Sequence, residues 1–220
     1  LVLVTHDLDA VERWCDEVLW LHEGEVRDRG YPRRVIDHYR SFLERGEEVE
    51  LLEQQQEREH EQEQAPVVEE RPEEPESARW GSREVEIQGV RLLNLKGESH
   101  LVFHPDDAVE VEIRYLVREP TEDVVFGIGL TRNDGLNVFG TNTQLGRVSV
   151  PPLGISGVAT FRIERLNLLD GQYLLDVAVH REDGYPSDYH KGAVVFSVRS
   201  PERHVGVMCP AHRWMFRKER

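Results

Sequence analysis

Apolar and polar positions along this chain follow three successive rhythms. The first stretch opens on an unbroken apolar run, Leu1-Val2-Leu3-Val4, the pattern of a strand buried on both faces of a parallel sheet. That run ends at Thr5-His6-Asp7. Asp9 is placed to cap a short helix whose apolar side is Ala10, Val11 and Trp14, with Asp7 just ahead of it. A hairpin is predicted next, residues 18–22 and 25–28 about a Glu23-Gly24 turn, with Gly30 closing the unit. From Pro32, tolerated in a first helical turn, Val35, Ile36, Tyr39, Phe42 and Leu43 recur at helical spacing.

From residue 44 the apolar positions thin out, and Leu51 and Leu52 are the last apolar pair before Ala65. Helix formers dominate there, so the helix is expected to run on for a few turns and then fray. Pro66, Pro72 and Pro75 among glutamates predict a disordered, self-repelling spacer over residues 66–77. From Trp80 the period changes to two. Strands are predicted at residues 85–93, 108–117, 124–131, 137–143, 158–164, 173–180 and 193–198, separated by turn signals such as Asn133-Asp134-Gly135 and Asp183-Gly184. Val109, Val111, Ile113 and Tyr115 share one face, as do Phe126, Ile128 and Leu130, and Tyr173, Leu175, Val177 and Val179. Seven short strands with no helical pattern imply an antiparallel, Ig-like β-sandwich. The division is therefore residues 1–45, an α/β segment; 46–78, an acidic flexible linker; and 79–220, the all-β domain.

Charge changes the picture only locally. The net charge is −15 over 220 residues, but residues 44–76 hold 14 Glu against 3 Arg, so 11 of those 15 charges lie in the linker. The remainder is near neutral and offers no basic face for nucleic acid. Cys15 and Cys209 fall in different predicted domains, which suits a reducing cytoplasm better than a disulfide framework. No apolar run reaches membrane-spanning length, so any membrane role is expected to come through a partner.

The order strand, Thr5-His6-Asp7, helix, Asp16-Glu17-Val18-Leu19-Trp20-Leu21, Gly24 and Gly30 resembles the final segment of an ABC-transporter ATPase domain. The continuation Gly30-x-Pro32-x-x-Val35-Ile36-x-x-Tyr39 resembles the ATPases of O-antigen and teichoic-acid exporters in particular. Phe126-Gly127-Ile128-Gly129, Val138-Phe139-Gly140-Thr141-Asn142-Thr143 and Leu168-Leu169-x-Gly171-x-Tyr173 resemble the C-terminal carbohydrate-binding domain of Wzt-type exporter ATPases. The resemblance implies that His6 is a switch histidine contacting the γ-phosphate of ATP, with Mg²⁺, in a longer protein. It also implies a membrane permease, a polysaccharide and a second copy as partners, at the inner face of the cell membrane. No G-x-x-x-x-G-K-[ST] loop or Leu-Ser-Gly-Gly-Gln signature occurs in the chain. These 220 residues are accordingly expected to be the C-terminal part of an ATPase subunit, without ATP turnover or a bound cofactor of their own.

Within the sandwich, the faces opposite the apolar ones carry Glu112 and Arg114, Gly127 and Gly129, and Asp176 and His180. If these strands are neighbours in one sheet, the polar groups flank a floor of glycines, a shallow trough suited to sugar hydroxyls, with Asn142, Tyr185 and Tyr189 nearby. The same positions also suit an ordinary solvated face of a docking or dimerisation domain. A third reading makes Glu112 and Asp176 a glycosidase pair. The ten histidines show no ligand-spaced cluster, so no metal is expected. Trp80, Trp214 and Phe216 bracket the domain as end plugs or interface residues.

Overall fold

The computed structural model describes residues 2–64, 78–200, 202 and 204–217. The chain forms two compact units, Leu1–Glu50 and Leu51–Arg220. The first holds α1 (Leu8–Trp14), the hairpin β1 (Val18–His22) and β2 (Glu25–Gly30), and the start of α2 (Pro32–Gln64). Glu23 and Gly24 both have positive φ, 51° and 81°, the signature of the two-residue turn that matches strand twist. Val35 and Ile36 are buried. Trp20 packs edge-on against Tyr39 and Phe42, with ring centroids 5.4 and 5.1 Å apart.

Three expectations for this unit are corrected. Asp7, not Asp9, caps α1: it has extended backbone angles and its carboxylate accepts from the N–H groups of Asp9 and Ala10 at 3.1 and 3.2 Å. Asp9 is already helical, which disqualifies it as a cap. Trp14 and Leu43 face outward while Val11 is buried. The opening run forms no strand among the described residues; Val2 and Val4 are 88% and 92% exposed, because a strand exists only through the ladder of a neighbour.

The second unit is a two-sheet sandwich. Its strands are β3 (Arg79–Trp80), β4 (Val85–Leu93), β5 (Val102–Phe103), β6 (Val109–Val117), β7 (Val124–Arg132), β8 (Asn137–Asn142), β9 (Ser156–Ile163), β10 (Gly171–Arg181) and β11 (Pro186–Val198). The larger sheet runs β3-β11-β10-β7-β8, with β5 pairing in parallel along the far end of β11, and the smaller is β4-β6-β9. All other pairs are antiparallel. Val85, Ile87, Val111 and Ile113 from the smaller sheet and Tyr173, Leu175, Val177 and Phe196 from the larger are buried between them, as alternation predicts. The buried Tyr173 hydroxyl donates to the Leu169 carbonyl at 2.8 Å, holding the entry to β10.

Two differences from the sequence expectation matter. Within the stretch assigned as linker, where the helix is expected to run on for a few turns, α2 continues to Gln64, and Leu51 and Leu52, not expected to pack, join the apolar cluster of the sandwich. Gln55 also donates to the Ala193 carbonyl at 2.9 Å. That apolar pair finds a surface to cover, which offsets the ordering cost; residues 65–77 lie outside the described residues. In addition, β11 starts at Pro186 rather than 193. Its first half is polar, and the polarity is internal.

Asp188 is fully buried, and its carboxylate takes Arg79 at 2.7 Å, Arg83 at 2.5 Å and the Ile87 N–H at 2.7 Å. Arg79 also donates to the Ile87 carbonyl. One side chain on β11 thereby joins β3, the turn after it and β4, which belongs to the opposite sheet. Gly81 permits the approach: its φ is +133°, and a Cβ there would lie 2.4 Å from the Ser187 carbonyl oxygen. Next along the strand, burial and the charge of Arg79 push His190 down to about 4, so it is neutral at pH 7.

Asp188→Ala should destabilise the sandwich by about 3–5 kcal/mol, because it strands two half-buried guanidinium groups and an N–H. Glu112→Ala, which breaks a surface ion pair, should cost about 1 kcal/mol or less. Urea denaturation of the two variants measures the difference, and equal midpoints would show that Asp188 holds nothing together.

Candidate functional site

Strand register settles which side chains share a face. Across the larger sheet, Trp80 pairs with Tyr189, Tyr189 with Ala178, Ala178 with Gly127, and Gly127 with Asn142. The neighbouring row reads Asp176, Gly129, Gly140. Both rows alternate with the inward Tyr173, Leu175, Val177 and Val179, so they form the outer face. Gly127 and Ala178 are packed flush, whereas Gly129 is half-exposed and Gly140 exposed. At about 4.8 Å per strand, the row from Tyr189 to Asn142 spans roughly 14 Å.

The three glycines are not explained by backbone or crowding. None has positive φ, and a Cβ would meet ordinary contacts: 3.4 Å to Asn142 Cβ at Gly127, 3.5 Å to Asp176 Cβ at Gly129, and 3.8 Å to the Ile128 carbonyl oxygen at Gly140. Strand-interior glycine costs roughly 0.5–1 kcal/mol relative to alanine. What the glycines provide is a floor without side chains.

Around that floor stand rigid groups. Tyr189 stacks on Trp80 with centroids 4.5 Å apart and planes 14° from parallel. Asp176 accepts from the Gly192 N–H at 2.6 Å; burial pushes its carboxyl above the usual range, against the pull of that bond and of Lys191. Burial, and then the charge of Asp176, push the Tyr189 hydroxyl up as well. Asn142 accepts from the Leu145 N–H at 2.7 Å, which orients its amide. His180 lies on the same face, its Nδ1 2.7 Å from the Arg181 carbonyl oxygen.

Glu112 and Arg114 do not belong here. They sit on β6, in the smaller sheet, whose outer face points the opposite way. Glu112 is bonded to Arg91 at 2.6 Å and to Arg114 at 3.3 Å, and the Arg91 guanidinium holds its carboxyl below the usual range. A carboxylate pair of Glu112 and Asp176 across one glycosidic bond is therefore excluded by topology. Tyr185 lies in the β10–β11 turn, where the Arg181 guanidinium covers its ring at 5.3 Å. His6 is exposed in the bend ahead of the Asp7 cap. Trp214 and Phe216 are 81% and 93% exposed and plug nothing in this chain. Trp80, expected as an end plug or interface residue, stacks on Tyr189 instead; Gly140, quoted only within a motif, and Lys191 were not among the expected site residues. Among the described residues, Glu202, His204 and Cys209 bring their ligand atoms within 4.8 Å of one another, a grouping that the histidine spacing does not show.

Fold and face together define a two-sheet β-sandwich domain with a flat, polar-rimmed face on its larger sheet. Residues 76–209 match the family model described as the Wzt C-terminal domain, and the chain belongs to that family. It is 35% identical over 98% of its length to the O-antigen export system ATP-binding protein RfbB of Myxococcus xanthus, of which it covers 47%. The chain thus spans about half the length of that relative. A 43-residue stretch, 20% of the chain and 9% of the relative, is 44% identical to the teichoic acids export ATP-binding protein TagH of Lactococcus lactis. The crystal structure of the C-terminal domain of wzt superposes with a TM-score of 0.59 at 21% identity, over 68% of this chain and 97% of that one, and so shares its fold. Among the described residues, no helix is long and apolar enough to cross a membrane.

Asp176 carries a testable cost. Its folded-state pKa is raised, so the ionised carboxylate opposes folding above that pKa, and the opposition vanishes once the pH is below the unfolded value. Asp176→Asn should therefore melt at or above the parent at pH 7, and the difference should shrink in melts near pH 3. A variant that melts well below the parent at pH 7 would make Asp176 a structural residue.

Proposed function

We propose that the chain is the C-terminal part of the ATP-binding subunit of a polysaccharide exporter, and that the outer face of the larger sheet recognises the glycan to be exported. Family membership and the relationship to RfbB support the first half. The second rests on one observation: glycines that cost stability, with Gly129 half-exposed and Gly140 exposed, line a floor without side chains between an aromatic stack and directional polar groups. A sugar ring needs that combination, with its C–H face against an aromatic and its hydroxyls toward carboxylate and amide. Tyr189 and Trp80 supply the ring surface, and Asp176, Asn142 and His180 the polar partners.

In the complete subunit, His6 is proposed to donate to the γ-phosphate of Mg²⁺-bound ATP, and a membrane permease to be the partner through which the subunit reaches the inner face of the membrane. His6→Ala in that longer protein should depress ATP turnover while leaving nucleotide binding in place; unchanged turnover would remove this role.

Calorimetry with surface polysaccharide from the producing strain tests the platform. Gly129→Val, which fills the floor, and Asp176→Ala, which removes a charged hydrogen-bond partner worth roughly 1.5–3 kcal/mol, should each weaken binding about tenfold or more. Glu112→Gln and Arg114→Ala, on the opposite sheet, should bind as the parent does. Normal affinity in the first pair, or loss in the second, would move the site off this face.

A further inference from the structure

The segment after β11 turns back on the sandwich instead of trailing away. The Leu169 N–H donates to the Val207 carbonyl at 2.8 Å and the Cys209 N–H to the Asn167 carbonyl at 2.7 Å, while Leu168 and Met208 form an antiparallel bridge. These bonds fix the backbone of the turn but bury little: Val205 is wholly exposed and Met208 59% exposed. Within it, a carboxylate oxygen of Glu202, a ring nitrogen of His204 and the sulfur of Cys209 all lie within 4.8 Å of one another. His204 Nε2 is 2.6 Å from Glu202 Oε2. The ring of His212 stands 5.6 Å from that of His204, edge to face. Its Nδ1 is 2.9 Å from the Pro210 carbonyl oxygen, a bond that places the proton on Nδ1 and leaves the Nε2 lone pair for a ligand, as in the outer shell of metal-bound histidines.

We propose that Glu202, His204 and Cys209, with His212 as the fourth ligand, bind one Zn²⁺ ion that staples this returning segment to itself. The donors, one sulfur, two imidazole nitrogens and one carboxylate oxygen, suit a borderline-soft ion with tetrahedral preference. Ligand atoms around zinc lie about 3.5 Å apart; those of Glu202, His204 and Cys209 already lie within 4.8 Å of one another, and His212, whose ring is 5.6 Å from that of His204, must turn in to complete the set. The turn is held to the sandwich by its backbone bonds and by Val207, which packs against the core, and such an ion adds order to its exposed side chains. Zinc displaces the proton of the Cys209 thiol, so affinity falls as the pH is lowered. The site is independent of the glycan platform.

The test uses the full 220-residue chain, free of any affinity tag and kept reduced. Zinc titration against a chromophoric chelator, with metal analysis after gel filtration, should give one tightly held equivalent. Co²⁺ in its place should show a thiolate charge-transfer band. Cys209→Ser and His204→Ala should abolish that equivalent or weaken it about a hundredfold, and His212→Ala should weaken it about tenfold or more. Metal-free melts of the variants should match the metal-free parent, since these side chains lie outside the core. No retained zinc in the parent, or zinc retained equally by Cys209→Ser and His204→Ala, overturns the proposal.

Discussion

Everything on the platform side of the sandwich depends on one buried carboxylate. Asp188 has no contact with water, and its two arginine partners and the Ile87 N–H come from segments that precede it by about a hundred residues of chain. A charge in such a place is tolerated only with its partners in position, so the bond set is specific: β3 must lie against β11 in one register, with β4 behind it. Because side chains alternate along a strand, sending Asp188 inward sends Tyr189 outward. The register that satisfies the carboxylate is the one that pairs Tyr189 with Trp80 and stacks their rings. A buried ionic contact and an exposed aromatic surface are two faces of a single constraint.

Much of the fold could be read before the structure, for a physical reason. Alternation at β6, β7 and β10 reports a half-buried strand directly, and Val111, Ile128, Leu175 and Val177 are all in the core. Turn residues marked most strand ends. The first half of β11 escaped because its buried positions are Ser187, Asp188 and His190, which a hydrophobic pattern scores as loop. The opening Leu1-Val2-Leu3-Val4 run failed in the other direction, since pattern states a capacity for pairing and says nothing of a neighbour's presence.

The candidate face was legible in part. Alternation correctly put Glu112, Arg114, Asp176 and His180 on outward positions, but outward has two meanings in a sandwich. Only the pairing order β11-β10-β7-β8, set by long-range contacts, separates Asp176 and the glycines from Glu112 and Arg114. Asn142 lay inside a motif that carried the resemblance, whereas Tyr189 was placed only as nearby, because the strand that holds it was expected to start at residue 193 and starts at Pro186. Trp80 could not be placed without knowing that β3 docks on β11. The cluster of Glu202, His204 and Cys209 was invisible because its members meet through a backbone reversal pinned by Asn167 and Leu169, which no spacing rule along the chain encodes.

The glycine floor has a consequence for how such a domain diversifies. At Gly127, Gly129 and Gly140 the backbone is ordinary and a methyl group finds room, so replacing any of them alters the relief of the surface and leaves the scaffold alone. The stabilising contacts sit between the sheets and at Asp188, and the relief lies outside both. Lineages can therefore redraw the contour of this face one residue at a time, each step starting from a gain in strand propensity rather than a deficit. Selection on what the surface accepts is thereby uncoupled from selection on whether the domain folds.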